Sequence, residues 1–163
     1  MTMMITDLVR DLLLPCLFAS IGCLGFCFIL NVRGRLMLFA TLGGALGWGV
    51  FLLCGPLFPG DIIRYLVGTV AVAAYGEAMA RICKVPATSF LLVGLLPFVP
   101  GGGIYYTMEY CINGDIDQFI ATGIHTLGIA GALAVGVLLV SSFIRLWSTV
   151  RHLRRRARAG RTS

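Results

Sequence analysis

The stretch Leu96-Pro97-Phe98-Val99-Pro100-Gly101-Gly102-Gly103-Ile104-Tyr105-Tyr106 lies in the middle of an uncharged run over residues 85–108. That run is long enough to cross a bilayer, which takes about 20 apolar residues in a helix. Its centre nevertheless breaks helix rules. Pro97 and Pro100 each remove a backbone donor and press on the preceding turn, and three successive glycines take away the side chains that keep a helix regular. A break inside a span is therefore predicted. In hydrocarbon every backbone N–H and C=O needs a partner, so an interrupted helix persists only where protein covers it or where it lines a watery cavity. Such a break can aim the N-terminus of a half-helix, with its free N–H groups and positive dipole end, at an anionic ligand. Pro97, Pro100, Gly101, Gly102, Gly103, Tyr105 and Tyr106 are accordingly the first candidates for a substrate-binding site. For the Pro/Gly segment the competing reading is a kink packed against small residues, and for the tyrosines it is anchoring at the membrane interface.

The rest of the chain has the same character. Its 163 residues are 58% hydrophobic and 12% charged, with 21 glycines and a mean hydropathy of +0.93, a composition that excludes an ordinary soluble domain. It predicts an all-α integral membrane protein, a compact bundle of five transmembrane helices near residues 12–30, 36–54, 62–80, 85–108 and 119–146, with the fourth interrupted. Residues 1–150 form a single transmembrane domain and 151–163 a basic tail. The first apolar run is read as a retained helix, since Asp7, Arg10 and Asp11 precede it where a signal peptide would carry a basic segment. Six cysteines show no CxxC pair and no metal-ligand spacing. Cys16, Cys23 and Cys27 share one helix face and read as packing residues. No metal or other cofactor is implied.

Small residues mark two close helix contacts. Gly43 and Gly47 have the GxxxG spacing, and Gly128, Ala132 and Gly136 repeat every fourth residue, which lets backbones approach. The third span is the least hydrophobic and is expected inside the bundle. With five spans, every Lys and Arg except Arg10 and Arg64 falls on one side, and every acid except Glu77 on the other. The positive-inside rule then puts the N-terminus outside and the C-terminus in the cytoplasm. A re-entrant hairpin over residues 85–108 would put the basic tail outside, against that rule. The tail reads as a topology anchor on anionic lipid heads rather than a nucleic-acid-binding patch.

Glu77 is the acid deepest in a span, where charge is costly and marks function. It is a candidate for substrate binding or proton coupling, with an ion pair to Arg81 four residues on as the plain alternative. Arg64 has Asp61 three residues earlier. His125 suits proton coupling by its near-neutral pKa, against the reading of a neutral core histidine. There is no Ser/His/Asp set, no HExxH and no phosphate-cradling glycine motif, so an enzyme is not predicted.

Asn31-Val32, Gly43-Gly44-Ala45-Leu46-Gly47-Trp48, Pro86 and the run from Pro97-Phe98-Val99-Pro100 through Gly101-Gly102-Gly103-Ile104-Tyr105-Tyr106-Thr107-Met108 together resemble the threonine/serine exporter family, in its small subunit type. The similarity of motif covers about residues 28–108. Arg33 departs from the proline that such subunits often carry after Asn-Val, which bears on the shape of the first turn. The resemblance implies export of small hydroxy amino acids, driven by the proton gradient, together with a larger membrane subunit of the same family in a homo- or hetero-oligomer. It points most directly to Pro100, Gly101 and Tyr105. From the residues alone, an exporter of small dicarboxylates and a non-transporting scaffold subunit remain as alternatives.

Overall fold

The computed structural model describes the backbone of residues 9–159 and the side chains of residues 10–150. A π-helical turn, Val9–Leu13, leads into α1 (Leu14–Ile29), with Pro15 at the start where its missing N–H is harmless. A tight turn with Asn31 and Gly34 at positive φ feeds α2 (Arg35–Leu53). The Gly/Pro loop at 54–60 precedes α3 (Asp61–Cys83), which ends on a left-handed Lys84 with Val85 N–H donating to Ala80 O at 3.1 Å.

The fourth span comes in three pieces. These are α4 (Ala87–Gly94), a 3-10 turn over Leu96–Phe98, and α5 (Gly101–Asn113), which is bent 51° from the piece before it. Gly114, at φ 75, closes α5, and Asp115 caps the next helix by accepting from Gln118 N–H at 3.2 Å. That helix, α6 (Ile116–Ala159), runs without interruption past the end expected for the fifth span. Arginine is a good helix former, so nothing in the backbone marks the boundary. The side chains of the basic tail lie outside the described residues.

Four helices are long and apolar enough to cross a membrane, and the bent pair makes a fifth span. α3 is central, packing against α2, α4 and α6, while α1 lies on α2. The contacts set the register. A Cβ at Gly47 would collide with Val72, one at Gly94 would also meet Val72, and Gly76 faces Phe90. Gly128 faces Ile62 and Gly136 faces Thr69, so α3 and α6 run parallel. Both small-residue stripes are thus helix contacts, α2 on α3 and α3 on α6. Cys23 and Cys27 are buried in the lower core with Ala40, Ala80, Phe90 and Val93. The same register places the turns at 30–34 and 84–86 with the C-terminal end of α6. The loop at 54–60 and the turn at 113–116 share the opposite end. Arg33, Arg35, Arg81, Lys84 and Arg145 are therefore gathered at one end, and Asp61, Glu109, Asp115 and Asp117 at the other. The span at 85–108 passes from one end to the other and is not a re-entrant hairpin.

Candidate functional site

The break is built by transferring orphaned hydrogen-bond groups to new partners. Pro97 has no N–H for Val93 O, and the thiol of Cys23 donates to that carbonyl at 3.3 Å. Pro100 likewise leaves Leu96 O, which takes Val99 N–H at 3.2 Å. Phe98 N–H reaches Leu95 O at 2.9 Å and Gly101 N–H turns back to Val99 O at 2.7 Å. The helix resumes when Ile104 N–H donates to Pro100 O at 3.1 Å.

Phe98 fixes the first half of the break. Its side chain is 0% exposed and fills a socket whose walls are Gly47 of α2 and Gly68 of α3, where any Cβ would strike the ring. Trp48, Phe51 and Tyr65 surround it, with ring centroids 5.6, 6.2 and 6.1 Å away in edge-on geometry. Sequence reasoning took Gly47 for a helix contact and did not see that it receives an aromatic ring. The signal present was an aromatic between two prolines, opposite an aromatic pair at Trp48 and Phe51.

The second half of the break is bare. α5 packs chiefly against α6, where Gly103 abuts Thr126 so closely that a Cβ would collide with its hydroxyl. Gly101 and Gly102 are exposed, and a Cβ at either would meet nothing within 4 Å. Neither has positive φ. Among the described residues no contact and no backbone angle asks for glycine at 101 or 102, and no side chain caps the first turn of α5. With Gly101 N–H on Val99 O and Ile104 N–H on Pro100 O, the N–H groups of Gly102 and Gly103 are the ones in this turn left without a backbone acceptor.

Tyr105 and Tyr106 are 65% and 53% exposed, with rings 5.4 Å apart. Tyr105 lines a cleft of about 240 Å³ along α5 with Met108, Glu109, Ile112 and Asn113. Glu77 is half-buried and makes no ion pair with Arg81; the ion pair found among the described residues is Arg64–Asp61, at 3.2 Å. Glu77 follows Gly76, which is level with Phe90, and so lies about 12 Å along the bundle from Phe98. The structure does not bring Glu77 to the break. His125 is exposed on α6 beside Thr126, level with the first turn of α5. It is not a core histidine, because Gly128 already meets the first turn of α3 and His125 lies beyond that helix's end. Pro97, Pro100 and the three glycines are brought together with Tyr105 and, at the same level, His125.

No curated protein and no solved structure matches the chain. A family model described as "Threonine/Serine exporter, ThrE" matches residues 15–143. That match takes in all five spans, the break with its aromatic socket, and both small-residue contacts. The chain belongs to the threonine/serine exporter family and is a multi-pass membrane protein with an exporter-type transport role.

Proposed function

We propose that this chain is the small membrane subunit of an exporter that moves threonine and serine out of the cytoplasm, working with a larger partner subunit and driven by protons. The observation that carries this reading is the bare first turn of α5 at Gly101 and Gly102. Free N–H groups at the positive end of a helix suit a carboxylate. Two glycines let a ligand or a neighbouring backbone approach closely. A substrate carboxylate binds there, and its hydroxyl meets Tyr105 or an unwound carbonyl near Pro97. His125, at the level of that turn, is the proton-coupling group better placed for contact with the substrate. Glu77 serves the opposite end of the path.

The break is open to the surroundings of this chain, so the path is completed by another polypeptide, in keeping with a larger subunit. The basic end of the bundle is cytoplasmic and the N-terminus lies outside. A second reading, export of small dicarboxylates, is favoured by the same turn, since it would accept either carboxylate.

The test is efflux of preloaded threonine, serine and a dicarboxylate from cells lacking their own exporters. The chain is expressed alone and with its larger partner. Efflux of threonine and serine from the pair, and not from either chain alone, is expected. Efflux of the dicarboxylate alone would replace the substrate assignment, and no efflux from an assembled pair would leave a scaffold subunit.

A further inference from the structure

The helices of this bundle do not all end at one level. α2 and α3 are 19 and 23 residues long, about 29 and 35 Å at the α-helical rise, which matches the hydrocarbon core of a bilayer. The apolar part of α6 is 35 residues long, about 52 Å by the same rise. Gly128 of α6 meets Ile62 in the first turn of α3, and Gly136 meets Thr69, so the excess lies at the acidic end. The twelve residues of α6 from Ile116 to Leu127 run about 18 Å past the start of α3. α5 lies along them, with Gly103 against Thr126 and Thr107 against Gly123. Residues 103–127 therefore form a helical hairpin that stands beyond the rest of the bundle.

The hairpin is not built for water. Ile104, Met108, Ile112, Ile116, Ile120 and Ile124 are each exposed by half or more, and α5 has no buried residue. With the bilayer matched to α2 and α3, acyl chains do not reach this surface, and an apolar patch of that extent marks a protein contact. Its charges say which protein. No Lys or Arg stands between residues 85 and 144, while the hairpin carries Glu109, Asp115 and Asp117. Glu109 has no ion-pair partner among the described residues. A second copy of this chain has the same orientation in the membrane and would set its own three carboxylates against these, so like charges disfavour it. Glu109 instead suits a cation on a different polypeptide. It lines the cleft of about 240 Å³ with Tyr105, Met108, Ile112 and Asn113, a hollow that takes one large side chain and offers a cation both a carboxylate and an aromatic ring.

We propose that the face of α5 opposite Gly103 and Thr107 is the docking surface for the larger subunit, through an apolar helix of that subunit whose lysine or arginine enters the cleft and pairs with Glu109. This rests on the two-subunit reading and gives that partner a place and a chemistry. It also sets the partner beside the bare turn at Gly101 and Gly102, so that the two polypeptides face each other across the break.

The experiment uses cells that express the chain together with its larger subunit, with the photo-cross-linking residue p-benzoylphenylalanine in place of Ile112 and purification of the complex after illumination. The expected product is a cross-link to the larger subunit. A cross-link to a second copy of the chain, or to lipid alone in an assembled complex, would overturn the proposal. Glu109→Lys sets like charges together and is expected to lower the amount of larger subunit that copurifies by roughly 10-fold or more, and Glu109→Gln should lower it by less. The amount of the chain recovered from the membrane should not change in either variant, since Glu109 is exposed and unpaired among the described residues. Full copurification with the Glu109→Lys chain would also overturn the proposal. A wild-type chain that copurifies with no larger subunit would contradict the two-subunit reading itself, a result distinct from these.

Discussion

The two halves of the interrupted span have similar composition and opposite surroundings. From Ala87 to Phe98 the chain is locked in: Phe90, Val93 and Phe98 are buried, Gly94 is pressed against Val72, and the carbonyl freed by Pro97 is capped by Cys23. From Gly101 to Asn113 no residue is buried. Both halves carry helix breakers, yet only in the first does this chain supply a reason for each one. The breakers without a contact among the described residues, at Gly101 and Gly102, are the ones that the proposed function assigns to a ligand or a partner. On that proposal, the contrast separates residues that hold the fold from residues that meet a ligand or a partner.

The largest expected effect belongs to the locked half. Phe98→Ala empties the socket between Gly47 and Gly68 and should cost about 3–5 kcal/mol. It would appear as a large drop in melting temperature in detergent, and a small change would mean that the socket collapses without penalty. Gly103→Val should weaken the α5–α6 contact, since even one added carbon collides with Thr126. Cysteine cross-linking between the two helices would report the loss. Cys23→Ala leaves Val93 O without a donor, and a cost of about 1–3 kcal/mol is expected. Thermal unfolding of the variant would measure it, with little change in transport. The smallest effect belongs to the open half. Gly101→Ala should leave stability unchanged or raise it by less than about 1 kcal/mol, because alanine restricts the unfolded chain. Substrate export should nonetheless fall, and a stability loss instead would show that the first turn of α5 is needed for folding.

The sequence was most legible where physics acts along the chain. Apolar length marked the five spans, and the prolines and glycines located the break at its observed position. GxxxG spacing marked a close contact on α2, and the small-residue stripe from Gly128 to Gly136 marked one on α6, with the partner of each, α3, given only by the structure. What could not be read depends on which helix lies opposite which. Phe98 might face lipid or core, and only its register against Gly47 and Gly68 decides. His125 had a core reading beside the proton-coupling one, and periodicity cannot reveal that α3 ends short of its level. Glu77 was expected to assist at the break, yet the register of α3 against α4 places it two turns away. Arg64 had a sufficient partner in Asp61 by spacing alone, and its burial over Phe51 became visible only in three dimensions.

The central claim is that the first turn of α5 meets the substrate. The most direct measurement is threonine efflux by the complex carrying Gly102→Leu, with complex assembly and melting temperature followed in parallel. Since no described residue lies within 4 Å of a Cβ at Gly102, the fold should be unchanged. The account predicts an assembled, normally stable complex that has lost efflux. An assembled complex that exports threonine at the wild-type rate would contradict it.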